Sequence, residues 1–320
     1  MELKSIIQHR HSTDGGRPNV GWILVVILLL GFVSCGADRN IKKGDKYLSL
    51  GEYYDAAEQY KQAYRRIPPK ERKARGQVSK KIALANDYIN SSAKAIAAYR
   101  NVIRYHQDSP ETHLKLAGNL MKQGQYGDAA KEYQIVLDSV PGNKAAKEGL
   151  LAASEAPAEK KNASKYIVKK MDVFNSRRSD YSPMLFGDQY DQLYFTSTRN
   201  EAQGDELSGI TGVKPGDIFY SEKDDKGHWG RPQTIESGLN TEFDEGTPAF
   251  SPDGREMYIT QCTTDPSYPR YAKIAVSNRA DASWGKATPL EISRDTLSSF
   301  AHPAISPDGN WLYFVSDMPG

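Results

Sequence analysis

One stretch near the end of this chain occurs twice. Residues 247–259 read T-P-A-F-S-P-D-G-R-E-M-Y-I and residues 302–314 read H-P-A-I-S-P-D-G-N-W-L-Y-F, at a constant offset of 55 without a gap. A degenerate copy starts at Ser182-Pro183 and continues through Gly187-Asp188 to Leu193-Tyr194-Phe195. Recurrence at a fixed period marks a unit that stacks on copies of itself.

Each copy has a local physical reading. Pro252 and Pro307 preset φ for the first central position of a tight turn, the Asp bonds its own backbone and the Gly accepts positive φ. The spacing therefore predicts hairpins, followed by short strands at Glu256–Thr260 and Trp311–Val315. The repeat extends outward: Ile218-Phe219-Tyr220-Ser221 answers to Ile274-Ala275-Val276-Ser277, Trp229-Gly230 to Trp284-Gly285 and Asn240-Thr241 to Asp295-Thr296. Asn175-Ser176 opens the first copy, and Tyr166–Phe174 reads as an outer strand aligned with Gln233–Leu239. Four short strands per unit of this length predict a propeller blade.

A second repeat precedes the first. Gly51, Tyr53, Ala56, Tyr60, Ala63 and Pro68 recur as Gly124, Tyr126, Ala129, Tyr133, Val136 and Pro141, with Asn90, Ala95, Tyr99 and Val102 as a weaker copy between them. The weaker copy lies 34 residues before the last and 39 after the first, and 34 is the tetratricopeptide spacing. Gly or Asn ends the first helix of each pair, Ala permits close crossing, and Tyr packs into the next repeat. Extra residues around Pro69–Arg72 read as a loop insertion, Lys144–Leu151 as a trailing helix and Glu155–Ser164 as a polar linker. By resemblance to such stacks, Lys80, Asp87, Tyr88, Met121 and Lys122 are candidates for a partner-binding groove, although each also reads as an ordinary exposed or packing residue.

The amino terminus has a different character. Trp22–Val33 is an apolar run of 12 residues. As a helix it spans roughly 18 Å, against about 30 Å for a bilayer core. Lys4, Arg10 and Arg17 precede it and Ser34-Cys35-Gly36 follows, the order of a secretory signal peptide. Phe32-Val33-Ser34-Cys35 resembles the lipobox of bacterial lipoproteins, which implies removal of residues 1–34 and acylation of Cys35. Several acyl chains, at about 0.8 kcal/mol per buried methylene, anchor a protein firmly. Gly36 after Cys35, by resemblance to sorting rules, implies the outer membrane.

Charge is divided unevenly. Residues 36–170 carry 26 Lys plus Arg against 15 Asp plus Glu, whereas residues 171–320 carry 13 against 23. The split reads either as two solvated surfaces or as a basic half that meets an acidic partner or its own acidic half. No reading helix, stacking platform or zinc spacing accompanies the basic charge, which argues against nucleic acid. With two cysteines in the chain, acylation of Cys35 leaves no disulfide framework. No serine elbow, H-E-x-x-H pair, Walker loop or C-x-x-C pair occurs, so no catalytic residue, metal or cofactor is assigned. His302 occupies a position held by Ser182 and Thr247 in the other copies and reads as a loop substituent, as does His228 beside Trp229. Asp253 and Asp308 read either as calcium ligands or as turn residues, and the turn alone accounts for them. Asp138-Ser139-Val140 and Asp295-Thr296-Leu297 match a short glycosylation tripeptide.

The order of lipobox, tetratricopeptide stack and Ser-Pro-Asp-Gly blades resembles OmpA-family outer-membrane lipoproteins of Bacteroidota with a TolB-like propeller, including a component linking the type IX secretion and gliding apparatus to peptidoglycan. The resulting expectation is a multidomain α plus all-β chain: signal peptide 1–34, lipidated tether 35–40, helical domain 41–152, linker 153–165 and an incomplete propeller of about two and a half blades over 166–320. The resemblance implies a non-catalytic, periplasm-facing scaffold on the outer membrane. It binds envelope proteins through groove and propeller, membrane through Cys35, and peptidoglycan only through a further family domain not in this sequence. The alternative is a propeller that regulates a hydrolase domain, and an open ring of this kind reads as a truncated chain.

Overall fold

The computed structural model describes residues 36–162, 165–204, 206–235, 238–263, 271–281, 283–295 and 298–319. The leader, the acylation expected at Cys35 and Thr296 of the second tripeptide lie outside these residues. Among the described residues no helix is long and apolar enough to cross a membrane.

The described residues begin with seven helices: α1 (residues 36–49), α2 (Tyr53–Arg66), α3 (Arg72–Tyr88), α4 (Ser92–Arg104), α5 (Pro110–Lys122), α6 (Tyr126–Ser139) and α7 (Lys144–Glu159). They stack in antiparallel pairs. Gly51, Asn90 and Gly124 close the first helix of each pair at φ 76°, 56° and 68°, the left-handed region where a missing Cβ or a short amide side chain costs least. Buried Ala56, Ala95 and Ala129 mark the crossings. The buried ring of Tyr133 fills the space beside Gly149 of α7, where an added Cβ would lie 2.3 Å from the ring. Tyr60 packs against Gly44 of α1 within its own pair, and it meets the next repeat through the Lys81 ammonium of α3, 5.5 Å from the ring centroid.

Three boundaries differ from the sequence reading. Residues 36–40, expected as a tether, are helical, because Ala37 and Asn40 are buried against α2 and the Arg66 guanidinium donates to the Gly36 carbonyl at 3.2 Å. The insertion near Arg72 lengthens α3 at its start, since Arg72-Lys73-Ala74-Arg75 are good helix formers beyond the Pro68-Pro69 stop. Helix α7 runs on through Pro157 to Glu159, because Ala153 is buried and anchors the extra turns.

The remainder is antiparallel β-structure. β1 (Asp180–Phe186), β2 (Gln192–Ser197), β3 (Asp217–Glu222) and β4 (Gln233–Thr234) pair in sequence order. β5 (Glu245–Phe250), β6 (Glu256–Thr263) and β7 (Tyr271–Ala280) repeat that order, with β8 (Ser283–Trp284) and β9 (Thr288–Pro289) both on β7. β10 (Phe300–Ile305) and β11 (Leu312–Ser316) form a third hairpin. Residues 166–174, expected as an outer strand, form none. Tyr166, Ile167 and Val168 are exposed, and the segment ends in a turn, the Phe174 amide donating to the Met171 carbonyl at 3.0 Å, that docks the Phe174 ring on Phe195 of β2 at 6.2 Å between centroids.

The repeated turns share one geometry. Ser251 Oγ and Ser306 Oγ donate to Asp253 and Asp308 at 2.6 and 2.5 Å, and Gly254 and Gly309 take φ 68° and 73°. Each first strand also carries a bulge with a positive-φ residue before its proline: Ser182, Thr247 and His302. The amides of Thr247 and His302 donate to the hydroxyls of Thr196 and Thr260 in the preceding sheet at 3.0 and 2.9 Å, so successive sheets meet through a recurring bond. Between the first two sheets lie the rings of Phe186, Tyr194, Phe250 and Trp284, and the indole N–H of Trp284 donates to Tyr194 Oη at 3.0 Å.

The two regions touch at the start of α2. Its first free amides, Tyr54 and Asp55, donate to the carbonyl of Gly209 at 2.9 and 3.1 Å, taking up donors that a helix start leaves unpaired.

Candidate functional site

The first helices of successive pairs, α1, α3 and α5, lie side by side and are joined by ion pairs. Asp45 of α1 accepts from Lys81 of α3 and from Tyr60 Oη at 2.7 Å. Burial pushes the Asp45 carboxyl up, but these hydrogen bonds outweigh it and hold it below the usual carboxylate range. Lys80 of α3 lies 3.8 Å from Glu111 of α5. Asp87 is the most heavily used group: Lys115 and Lys122 approach it at 3.6 Å each, and the Asn119 amide donates to it at 2.9 Å.

Helical spacing explains why these groups share a face. Lys80, Leu84 and Asp87 recur at four and three residues on α3, and Lys115, Gly118 and Lys122 do so on α5. Leu84, Leu114 and Met121 are half-buried between the charged positions, and a Cβ added at Gly118 would meet open space. The surface is a shallow apolar strip flanked by ammonium groups.

The five candidates from the sequence separate here. Asp87 and Lys122 come together, and Lys80 stands on the same face. Met121 packs against the helical core, so its main contact is internal. Tyr88, 56% exposed, leaves this strip to stack on Tyr53 of α2 at 4.6 Å between ring centroids, beside the turn where the β-region docks. Sequence reading missed Lys115, Asn119 and Glu111. Lys115, seven residues before Lys122, carried a usable signal, whereas Asn119 is identified only by its contact with another helix.

A second polar group lies inside the stack. His113 of α5 is clamped by Glu132 Oε2 at 2.6 Å and Asp108 Oδ2 at 3.1 Å. Burial pulls the imidazole down, yet the two carboxylates outweigh it and raise its pKa. Among the described residues no group of His, Cys, Asp and Glu could hold a metal ion.

A tetratricopeptide-repeat family model matches residues 81–144 and 114–156. The helical region carries tetratricopeptide repeats. Similar solved structures include the first such domain of Spaghetti (RPAP3) bound to an HSP90 peptide, 22% identical over 39% of this chain and 95% of that one, with a TM-score of 0.34. The second such domain of human RPAP3, in complex with an HSP70 peptide, is 18% identical over 39% and 97% with a TM-score of 0.33. The myosin chaperone UNC-45 from C. elegans, in complex with an Hsp90 peptide, is 17% identical over 39% and 14% with a TM-score of 0.35. No curated protein matches the chain.

Proposed function

We propose that this chain is a non-catalytic scaffold whose tetratricopeptide groove holds an acidic segment of a partner protein. One observation carries the reading: α1, α3 and α5 bear 11 Lys plus Arg against 4 Asp plus Glu, whereas α2, α4 and α6 bear 7 against 5. Three of the four acids on the groove helices are already engaged by lysines, and exposed Lys42, Lys46 and Lys73 have no ion pair among the described residues. Unengaged cations around an apolar strip attract an anionic, partly apolar peptide.

The test is a titration of a fluorescent Glu-rich peptide into the full chain at low salt. The double variant Lys46→Glu with Lys73→Glu is expected to bind at least about tenfold more weakly, and added salt to weaken the wild type. Equal binding by variant and wild type overturns the reading.

The finer reading is that the β-region is an arc of propeller blades offering a second docking face, and that the protein works in an envelope secretion, gliding or anchoring assembly. The recurring Thr–bulge bond and the common Ser-Pro-Asp-Gly turn support the arc. The apolar leader ending at Ser34-Cys35 supports a lipid anchor in the outer membrane. Cys35→Ala is expected to abolish acylation and release the protein from the membrane fraction; unchanged fractionation refutes the anchor.

A further inference from the structure

We propose that the cleft between the first two β-sheets binds a carboxylate group through Arg279. The cleft encloses about 580 Å³ and is lined by Gln192, Tyr220, Glu222, Gln233 and Arg279, with Tyr194 and Trp284 at its back. Arg279, on β7, holds its guanidinium 4.9 Å from the centroid of Phe186 and 5.7 Å from that of Trp284. Its Nε is shielded from solvent and has no acceptor, and among the described residues the side chain forms no ion pair.

Arg199 shows what such a group ordinarily has. It too lies over a pair of rings, Phe195 at 5.0 Å and Phe219 at 4.8 Å, but it is matched by the Asp180 carboxylate at 2.8 Å and the Phe174 carbonyl at 2.7 Å. Rings orient a cation without neutralising it, and a shielded donor without an acceptor calls for an anion from outside. Arg279 is the same arrangement with the carboxylate missing.

The rest of the wall is already fixed. Trp284 donates to Tyr194, Tyr194 to Gln192 Oε1 at 3.2 Å, and Gln192 Nε2 to Glu222 at 2.9 Å. Tyr220 donates to Gln233 Oε1 at 3.4 Å, which leaves the Gln233 amide NH2 as a second donor toward a ligand. Glu222 sets the charge that fits. A doubly charged phosphate meets about twice the repulsion from this carboxylate that a monoanion meets. The carboxylate comes from a sugar acid or from an acidic side chain, the two sources sharing this chemistry.

The test is an NMR titration of the full chain, following the indole N–H of Trp284, with glucuronate, with N-acetylglutamate amide and with inorganic phosphate. A saturable shift with either carboxylate is expected, weaker with phosphate, and Arg279→Gln is expected to weaken binding about tenfold or more while Arg279→Lys loses less. Preference for glucuronate assigns a sugar acid, and preference for the glutamate probe an acidic side chain. Should Arg279→Gln not fold, Glu222→Gln leaves the cation in place and is expected to tighten carboxylate binding and admit phosphate. No saturable shift with either carboxylate, phosphate binding as strong as glucuronate, unchanged affinity in folded Arg279→Gln, or no tightening in Glu222→Gln each overturns the proposal.

Discussion

The helical and β-halves are both built by repetition, yet they hold their repeats together by different means. In the stack, helices meet through small-to-large packing, within a pair at Gly44 against Tyr60 and between pairs at Gly149 against Tyr133, with buried Ala at each crossing. Between the sheets, large rings meet large rings, as in the group of Phe186, Tyr194, Phe250 and Trp284, and polar groups are carried inside with them. The helical scheme tolerates little added volume. The β scheme tolerates little lost volume, and both halves respond to protons through different groups.

Four experiments break or sharpen that contrast. The largest effect is expected from Trp284→Ala, which empties the space between the first two sheets and removes the donor to Tyr194. The loss should be about 3–5 kcal/mol in the β transition, read by calorimetry as a lowered β unfolding temperature with the helical transition nearly unmoved. Equal loss in both transitions would show that the halves unfold as one through the Gly209 contact.

Adding volume is the mirror test. Gly44→Val places atoms where the Tyr60 ring now lies and should cost about 1–3 kcal/mol, confined to the helical transition and measured by urea unfolding followed at 222 nm.

The pH response separates the halves further. Burial pushes the Glu245 carboxyl up to about 7, against hydrogen bonds from Thr241 and Gln261, and burial pushes Asp217 up to about 6. Raised carboxyl values mean the folded state holds the proton longer. The contribution is complete below the ordinary carboxylate range and is lost as pH rises through about 7. Glu245→Gln should flatten this fall and stabilise the β transition at neutral pH by on the order of 2 kcal/mol. In the helical half His113, with its raised value, contributes below the ordinary histidine range and loses that contribution as pH rises through the folded value. His113→Gln should remove that slope from the helical transition alone, as thermal melts across pH would reveal.

The smallest effect reverses sign. Gly118 lies in α5 with open space where a Cβ would go, so Gly118→Ala should stabilise the helical transition by about 0.5–1 kcal/mol. Destabilisation would mean that the face between Lys115 and Lys122 is more closed than it is drawn.

Much of this organisation was legible in the chain because it depends on local geometry. Gly51, Asn90 and Gly124 had to end helices, and Ser-Pro-Asp-Gly had to turn, whatever surrounded them. Boundaries were less legible. The added turn at Arg72 follows from the helix propensity of its residues, the long α7 from burial of Ala153, and residues 166–174 turn at Met171 and dock through the Phe174 ring instead of forming a strand. The candidate groove was half legible: Asp87 and Lys122 meet, while Tyr88 turned aside to Tyr53 because the helix end carries it past the strip.

By itself the sequence determined two periods, their turn residues and an uneven charge, since each is a matter of which backbone angles and which ionised groups neighbouring residues allow. Only the tertiary structure decided that Asp87 is shared by Lys115 and Lys122, that His113 sits between two carboxylates, and that Arg279 lies over two rings with its Nε lacking an acceptor among the described residues. Those relations join residues on different helices and sheets. Periodicity orders a chain along its own length, whereas pairing and desolvation depend on what folding brings across it.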